Sequence, residues 1–260
     1  MYPVLWQPFG FAISSFGVMV ALAFLVGGWM SARSFERYGL DGKSAWDLLT
    51  WCVIGGLAGA KLWFVAEELT REPSATLAGA LFSRGGLTWY GGFLGGTIAG
   101  LSGARLRQLP LLVVVNSAAP ALAAAQAIGR IGCFLVGDDY GVRSTVPWAV
   151  AFPNGLPPTV DPVTGAVFRV HPTMLYETLW LAPVALLLWL RRGRSPLLFG
   201  EYLVLAGLGR LWIEGLRRNP DFVGALSNAQ VVALSCIAIG AVGWLWMRAR
   251  GAPVSPDVGK

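Results

Sequence analysis

Residues 110–141 read PLLVVVNSAAPALAAAQAIGRIGCFLVGDDYG, and no ionisable side chain occurs from Pro110 to Gly129. Arg130, Asp138 and Asp139 then follow in quick succession, beside glycines. An uninterrupted apolar run of about 20 residues, rising 1.5 Å per residue, matches the hydrocarbon thickness of a bilayer. Such a run cannot be spared from water in so small a chain unless lipid covers it. Charge that arrives abruptly at its end is placed for a task rather than scattered for solubility.

The same pattern recurs along the chain. Of 260 residues, 55% are hydrophobic and only 13% charged, against roughly 25% charged in a soluble domain. Windows of about 20 residues predict an all-α polytopic membrane protein with about seven transmembrane helices, near 13–32, 45–66, 87–104, 110–128, 173–190, 197–215 and 226–247. Eleven of the 20 basic residues fall in segments that are inside if the N-terminus is outside, and seven fall in outside segments, many of them near acids. Basic residues gather on the cytoplasmic side, so the reading is N-out and C-in. The net charge of +6 then belongs to loops facing anionic lipid, and no nucleic-acid partner is implied.

Residues 1–250 read as a single integral-membrane domain without internal repeats, and the N-terminus shows no cleavable signal peptide. The longest non-apolar stretch, 137–171, holds five prolines and the turn pair Asn154-Gly155. It is expected to be an ordered or strand-like outside loop forming a head. Residues 251–260 read as a disordered cytoplasmic tail. Cys52, Cys133 and Cys236 are too widely spaced for a zinc pattern or a disulfide framework. A lone histidine excludes multi-histidine metal chemistry, and no cofactor is implied.

Charge within the apolar segments nominates the candidate site. Arg210 lies in LVLAGLGRLWIEGLRR (203–218), with Glu214 four residues later on the same helical face. An ionisable group at membrane depth costs a few kcal/mol and faces protein or a water-filled cavity. Two readings stand: a structural ion pair, or an anion site in which Glu214 orients the guanidinium. Arg130, flanked by Gly129 and Gly132, has the same logic, and two planar guanidinium forks suit a lipid phosphate. Of Asp138 and Asp139, one can hold Arg130 while the other caps or faces water; a calcium site lacks a spaced ligand set. His171, in HPTMLYE, is either a hydrogen-bonding group at a helix entrance or a catalytic one. GGLTWYGGFLGG (85–96) can serve close helix packing, yet it also places the Tyr90 phenol where backbone is thin.

Together these pieces resemble the bacterial prolipoprotein diacylglyceryl transferases. GRIGCFLVGDDYG is similar to that family's signature, HPTMLYE to its His-Pro-Thr-x-Leu-Tyr-Glu segment, GRLWIEGLR to its late Arg-x-x-x-Glu-x-x-Arg helix, and LSNAQ (226–230) to the start of its last span. GGLTWYGG and GLAGAKLWFV add weaker matches. The resemblance implies a seven-span body with a periplasmic head in the bacterial inner membrane. The implied reaction moves a diacylglyceryl group from phosphatidylglycerol to the lipobox cysteine thiol of a secreted precursor, whose signal peptide is the partner. It implies Arg130 and Arg210 as donor-phosphate ligands, with Asp138, Gly141 and Glu214 matching the signature's acid, its closing glycine and the late-helix carboxylate. Three positions depart from the pattern: Tyr90 stands where a histidine is common, Cys133 where the signature has Asn, and Phe16 where the first span has Tyr before Gly17. The base is therefore open between a Tyr90 phenolate, His171 and Asp138, with Tyr90 otherwise orienting substrate. Cys133 reads as either a small packing residue or a reactive thiol.

Overall fold

The structure is a computed structural model that describes residues 2–8, 12–72, 76–83, 86–217 and 219–251. Arg84 and Gly85 of the glycine-rich segment, Arg218, and residues 252–260 of the expected tail lie outside the described residues. Among the described residues are α1 (Ser15–Arg37), α2 (Gly42–Arg71), α3 (Leu77–Phe82), α4 (Trp89–Leu106), α5 (Leu111–Val136), α6 (Thr173–Leu190), α7 (Leu198–Glu214) and α8 (Asn228–Ala249). Two short antiparallel hairpins complete them: β1 (Val4–Trp6) with β2 (Ile13–Ser14), and β3 (Asp221–Val223) with β4 (Leu226–Ser227).

Every one of the seven apolar stretches is helical. α1, α2, α5, α6 and α8 are long and apolar enough to cross a membrane, so the chain is a polytopic helical membrane protein. α7 is shorter, at 17 residues, and carries Glu201 and Arg210; α4 is 18 residues long and glycine-rich. Neither the small helix α3 nor the two hairpins was anticipated. The main boundary correction concerns α5. The sequence places its end at residue 128 because Arg130 looks like an exit from the membrane, but the helix continues to Val136 and carries Arg130 on its side. Carboxylates compensate that guanidinium, so the helix has no electrostatic reason to stop.

The chain divides into two compact units, one formed by Met1–Ser31 and Asn116–Lys260, the other by Ala32–Val115. In the second unit α2 and α4 meet through glycines. A Cβ added at Gly59 would lie 2.9 Å from the Gly95 Cα, and one at Gly91 would strike the Gly59 carbonyl oxygen. Close backbone approach of this kind replaces the hydrophobic effect, which lipid does not supply between helices. The ammonium of Lys61, on α2, donates to the carbonyl and hydroxyl of Ser83 at 3.0 and 2.9 Å. The glycines around Tyr90 thus have a packing role, and Tyr90 itself lies half-exposed in the first turn of α4, edge-on to Trp89.

In the first unit, α6 and α7 pack around Val184, Ala185, Leu188, Leu198 and Tyr202, against Ala119 and Ala123 of α5. The Asn116 side chain caps α7 by accepting from the Phe199 N–H at 3.1 Å. α7 and α8 cross where a Cβ on Gly200 would lie 2.8 Å from the Gly240 carbonyl. Trp180 of α6 fills the space beside Gly209 of α7 that a Cβ would occupy, and its indole N–H donates to the Leu205 carbonyl at 2.9 Å. The 137–172 segment holds no helix, only turns and isolated bridges such as Arg143 with Val170 and Val150 with Val170. Its small core is Phe152, Val170 and Met174, joined by Cys133, Phe134 and Tyr140. That core fastens the head to the end of α5 and the start of α6.

Candidate functional site

Three arginines and three carboxylates converge inside the first unit. For Glu177, Arg217 and Asp139 the contacts that bring them there can be named. Glu177 lies one turn into α6, three residues before Trp180, so the seating of Trp180 on Gly209 turns Glu177 toward Arg210. Arg217 follows the last turn of α7, and the Leu216 carbonyl accepts from the Val142 N–H at 2.9 Å. That bond ties the end of α7 to the segment after α5. Gly141 permits it: a Cβ there would strike the Leu216 oxygen and sit 2.8 Å from the Thr173 methyl. Asp139 has φ of +62°, a left-handed conformation that Asp tolerates better than most residues. The Thr173 hydroxyl donates to the Asp139 carbonyl at 2.8 Å and holds this turn.

The network is dense. Arg130 Nη1 meets Asp139 Oδ2 at 2.6 Å, and its Nε meets Glu177 Oε2. Arg210 Nη1 meets Glu177 Oε1 at 2.8 Å, and its Nη2 meets Glu214 Oε2 at 3.0 Å. Arg217 reaches Asp139, Glu177 and Glu214 at 2.5, 3.5 and 3.9 Å. Glu177 is therefore shared by all three guanidinium groups, with Arg130 and Arg210 on its two different oxygens. Glu214 Oε1 accepts from the Asn219 amide and from the Ser227 hydroxyl, each at 2.6 Å. Ser227 also caps α8 in a capping box with Gln230, which accounts for the polar residues of LSNAQ. Glu214 Oε2 and Arg217 Nε, both buried, lack hydrogen-bond geometry and face one another as an ion pair.

Burial separates the members. The side chains of Glu214, Glu177 and Arg217 are 2%, 7% and 7% exposed, whereas Arg130 and Arg210 each retain 25%. Buried charges survive only when paired, because desolvation otherwise outweighs attraction. Here three cations are matched by three anions, and two guanidinium forks keep an open edge. Such an edge can take phosphate oxygens by charge-assisted hydrogen bonds.

The remaining candidates fall into place around the cluster. Glu214 pairs with Arg210 from four residues along the same helical face. The aspartate that holds Arg130 is Asp139, while Asp138, which matches the signature's acid, makes no ion pair with an arginine among the described residues. Burial raises the Asp139 pKa, but Arg217 and Arg130 outweigh it and hold the carboxyl below its ordinary value. At Asp138 burial wins, helped by the Asp139 charge, and the pKa is pushed up despite Arg130 and Arg217. Gly141 serves packing. Gly132 lets α1 approach, since a Cβ there would lie 3.1 Å from Met19 and 3.2 Å from Phe16; Phe16 thus packs on α5 two residues beyond Arg130. Gly129 has open space at its Cβ position.

Cys133 packs against the head core, which suits a small residue. His171 Nδ1 lies 3.1 Å from the Tyr176 hydroxyl, which accepts from the Trp148 indole N–H at 2.7 Å. Its backbone also carries the Gly141 and Val142 bonds. Tyr90 belongs to the second unit. Among the described residues, no group of three or more His, Cys, Asp and Glu is arranged to hold a metal ion. Sequence reasoning missed Glu177 and Arg217 as members of the cluster, and left open which of the two aspartates holds Arg130. The available signal was a carboxylate in the apolar first turns of a membrane helix, which demands a buried cation.

Residues 3–246 match the family described as prolipoprotein diacylglyceryl transferase. Among similar proteins is the phosphatidylglycerol–prolipoprotein diacylglyceryl transferase of Synechococcus elongatus, 37% identical over 91% of this chain and 84% of that protein. Proteins of the same name from a Nostoc species and from Gloeobacter violaceus are each 35% identical, over 98% and 96% of this chain and 92% and 94% of their own lengths.

Proposed function

The chain belongs to the prolipoprotein diacylglyceryl transferase family, and on that footing we propose that it transfers a diacylglyceryl group from phosphatidylglycerol to the lipobox cysteine thiol of prolipoproteins. The observation that carries this reading is the pair Arg130 and Arg210, held on the two oxygens of one carboxylate with an open edge on each guanidinium. The thiolate sulfur attacks the glyceryl carbon, a carbon–sulfur bond forms, and the carbon–oxygen bond to phosphate breaks. The electron pair leaves with the phosphate oxygen, and the thiol proton passes to a base. Phosphate charge grows from one toward two as the bond breaks, so preset guanidinium groups stabilise the transition state more than the ground state. Arg130 and Arg210 are the phosphate ligands, Glu214 and Asp139 hold them, and Tyr90, His171 and Asp138 are the candidates for orienting or deprotonating the acceptor. Phe16, Cys133 and Gly141 shape the surroundings.

The proposed topology is seven spans, α1, α2, α4, α5, α6, α7 and α8, with the N-terminus outside and the C-terminus inside. Residues 1–250 act as one transferase domain in the inner membrane, with the 137–171 head on the periplasmic side and a cytoplasmic tail after it. The distribution of basic residues supports this orientation. The test is direct. Purified protein, given phosphatidylglycerol and a lipobox peptide, is expected to yield diacylglyceryl peptide and free glycerol phosphate, and the gene to rescue a strain depleted of its own transferase. Absence of both products from folded protein would refute the reading and favour a paralogue with another acceptor, or a lipid-binding protein.

A further inference from the structure

Within that reading, Glu177 bridges Arg130 and Arg210, yet each of these guanidinium groups already has a second carboxylate. Asp139 holds Arg130 at 2.6 Å and Glu214 holds Arg210 at 3.0 Å, so each accessible guanidinium would keep a carboxylate partner without Glu177. What Glu177 alone supplies is one negative charge placed against Arg130, Arg210 and Arg217 together. With it, the ion-paired cluster balances three cations with three anions; Asp138, the other carboxylate nearby, forms no ion pair with them among the described residues, and burial disfavours its charged form. Without it, the same groups carry a net positive charge around the two open forks.

We propose that Glu177 is the specificity-determining residue that sets the charge of this site, so that it holds a singly charged phosphodiester and lets a doubly charged phosphate monoester go. The inference rests on the transferase reading for the identity of the two anions. The physical reason is that attraction scales with the product of charges. An excess positive charge beside the forks would favour the dianionic product twice as strongly as the monoanionic donor. A neutral cluster offers directional hydrogen bonds without that bias, and the leaving group is released once formed. Burial of Glu177, 7% exposed, keeps water from screening it.

The experiment uses the full chain in lipid nanodiscs, with sn-glycerol 1-phosphate as the probe and calorimetry as the readout, beside first-turnover and steady-state transfer rates. Glu177→Gln keeps the length and one acceptor oxygen. It is expected to bind glycerol phosphate at least about tenfold tighter, the order that one unit charge several ångströms from a dianion gives even at water-like screening. Its steady-state rate is expected to fall more than its first turnover, with product release limiting. Glu177→Asp keeps the charge and is expected to restore an affinity within about threefold of the unaltered chain, roughly the spread of a single contact's contribution. Unchanged or weaker glycerol phosphate binding by folded Glu177→Gln overturns the proposal. If that variant does not accumulate, Asp139→Asn removes one charge from the more exposed edge. It is expected to tighten glycerol phosphate binding as well, and no tightening there overturns the proposal equally. Transfer by the unaltered chain reports on the transferase reading separately, because the binding comparison stands whether or not transfer is seen; no binding by any of the three proteins overturns the charge role.

Discussion

Replacing Arg130 by lysine separates a phosphate ligand from a structural ion pair. The Arg130 guanidinium spans Asp139 and Glu177 and keeps a quarter of its side-chain surface open. A lysine ammonium is a point charge on a flexible stem, so it can satisfy one carboxylate but cannot also present a fixed fork. The folded state should survive, since Glu177 keeps Arg210 and Arg217, and Asp139 keeps Arg217. Transfer should not survive. One lost charge-assisted hydrogen bond to phosphate is worth about 1.5–3 kcal/mol, and a displaced cation adds a further loss of similar size. Together about 3–6 kcal/mol corresponds to a fall in kcat/KM of roughly two to four orders of magnitude. The assay is transfer of labelled lipid to a lipobox peptide, normalised to protein recovered from the membrane by immunoblot. Arg210→Lys is expected to behave alike, because Glu177 and Glu214 frame that guanidinium in the same way. A loss below about tenfold in well-accumulated protein would reduce either residue to an ion-pair partner.

Tyr90→Phe is expected to cost about tenfold in rate, the worth of roughly one hydrogen bond, with an unchanged pH profile; a profile displaced downward in Tyr90→His would instead assign the base to this position. Reporters fused after Arg105 and Arg194 are expected to report cytoplasm and those within residues 153–162 periplasm, and the reverse pattern would invert the proposed orientation. The two aspartates should part company in thermal unfolding. Asp139 has a lowered folded pKa, so its stabilisation is complete above the ordinary carboxylate value near 4 and disappears as pH falls through the folded value. Asp139→Asn is therefore expected to lower Tm at neutral pH, with the difference vanishing in strong acid. Asp138 has a raised pKa, so its ionised form costs stability above that value, and Asp138→Asn is expected to leave Tm at pH 7 unchanged or raise it. A loss of Tm in Asp138→Asn would contradict this sign.

How far the sequence could be read differs by element. The 173–190 stretch was bounded to the residue, because HPTMLYE supplies a proline before the helix and two arginines follow its end. The end of α5 was misplaced by eight residues, since a lone arginine in a sequence looks like an exit to water. Gly141 stands in the sequence only as the closing glycine of a signature, and the structure adds that the Leu216 carbonyl and Thr173 fill the space it leaves. Nothing near Gly141 in sequence announces a neighbour that arrives from the end of α7.

Taken by itself, the sequence determined that this chain lives in a bilayer and roughly where its helices run, and it singled out Arg130, Arg210 and Glu214 as charges that need partners. Those conclusions follow from local physics: an apolar segment must be covered by lipid, its backbone must bond to itself, and a charge at that depth needs a reason. Only the tertiary structure decided which carboxylate answers which arginine. Glu177 meets partners 33 and 40 residues away, and Arg217 reaches back 78 residues to Asp139. Such pairings depend on the angle at which α6 meets α7 and on a left-handed turn at Asp139. Helical spacing reports neighbours along one element, whereas Coulomb attraction acts through whatever distance the packing of glycines and a tryptophan leaves.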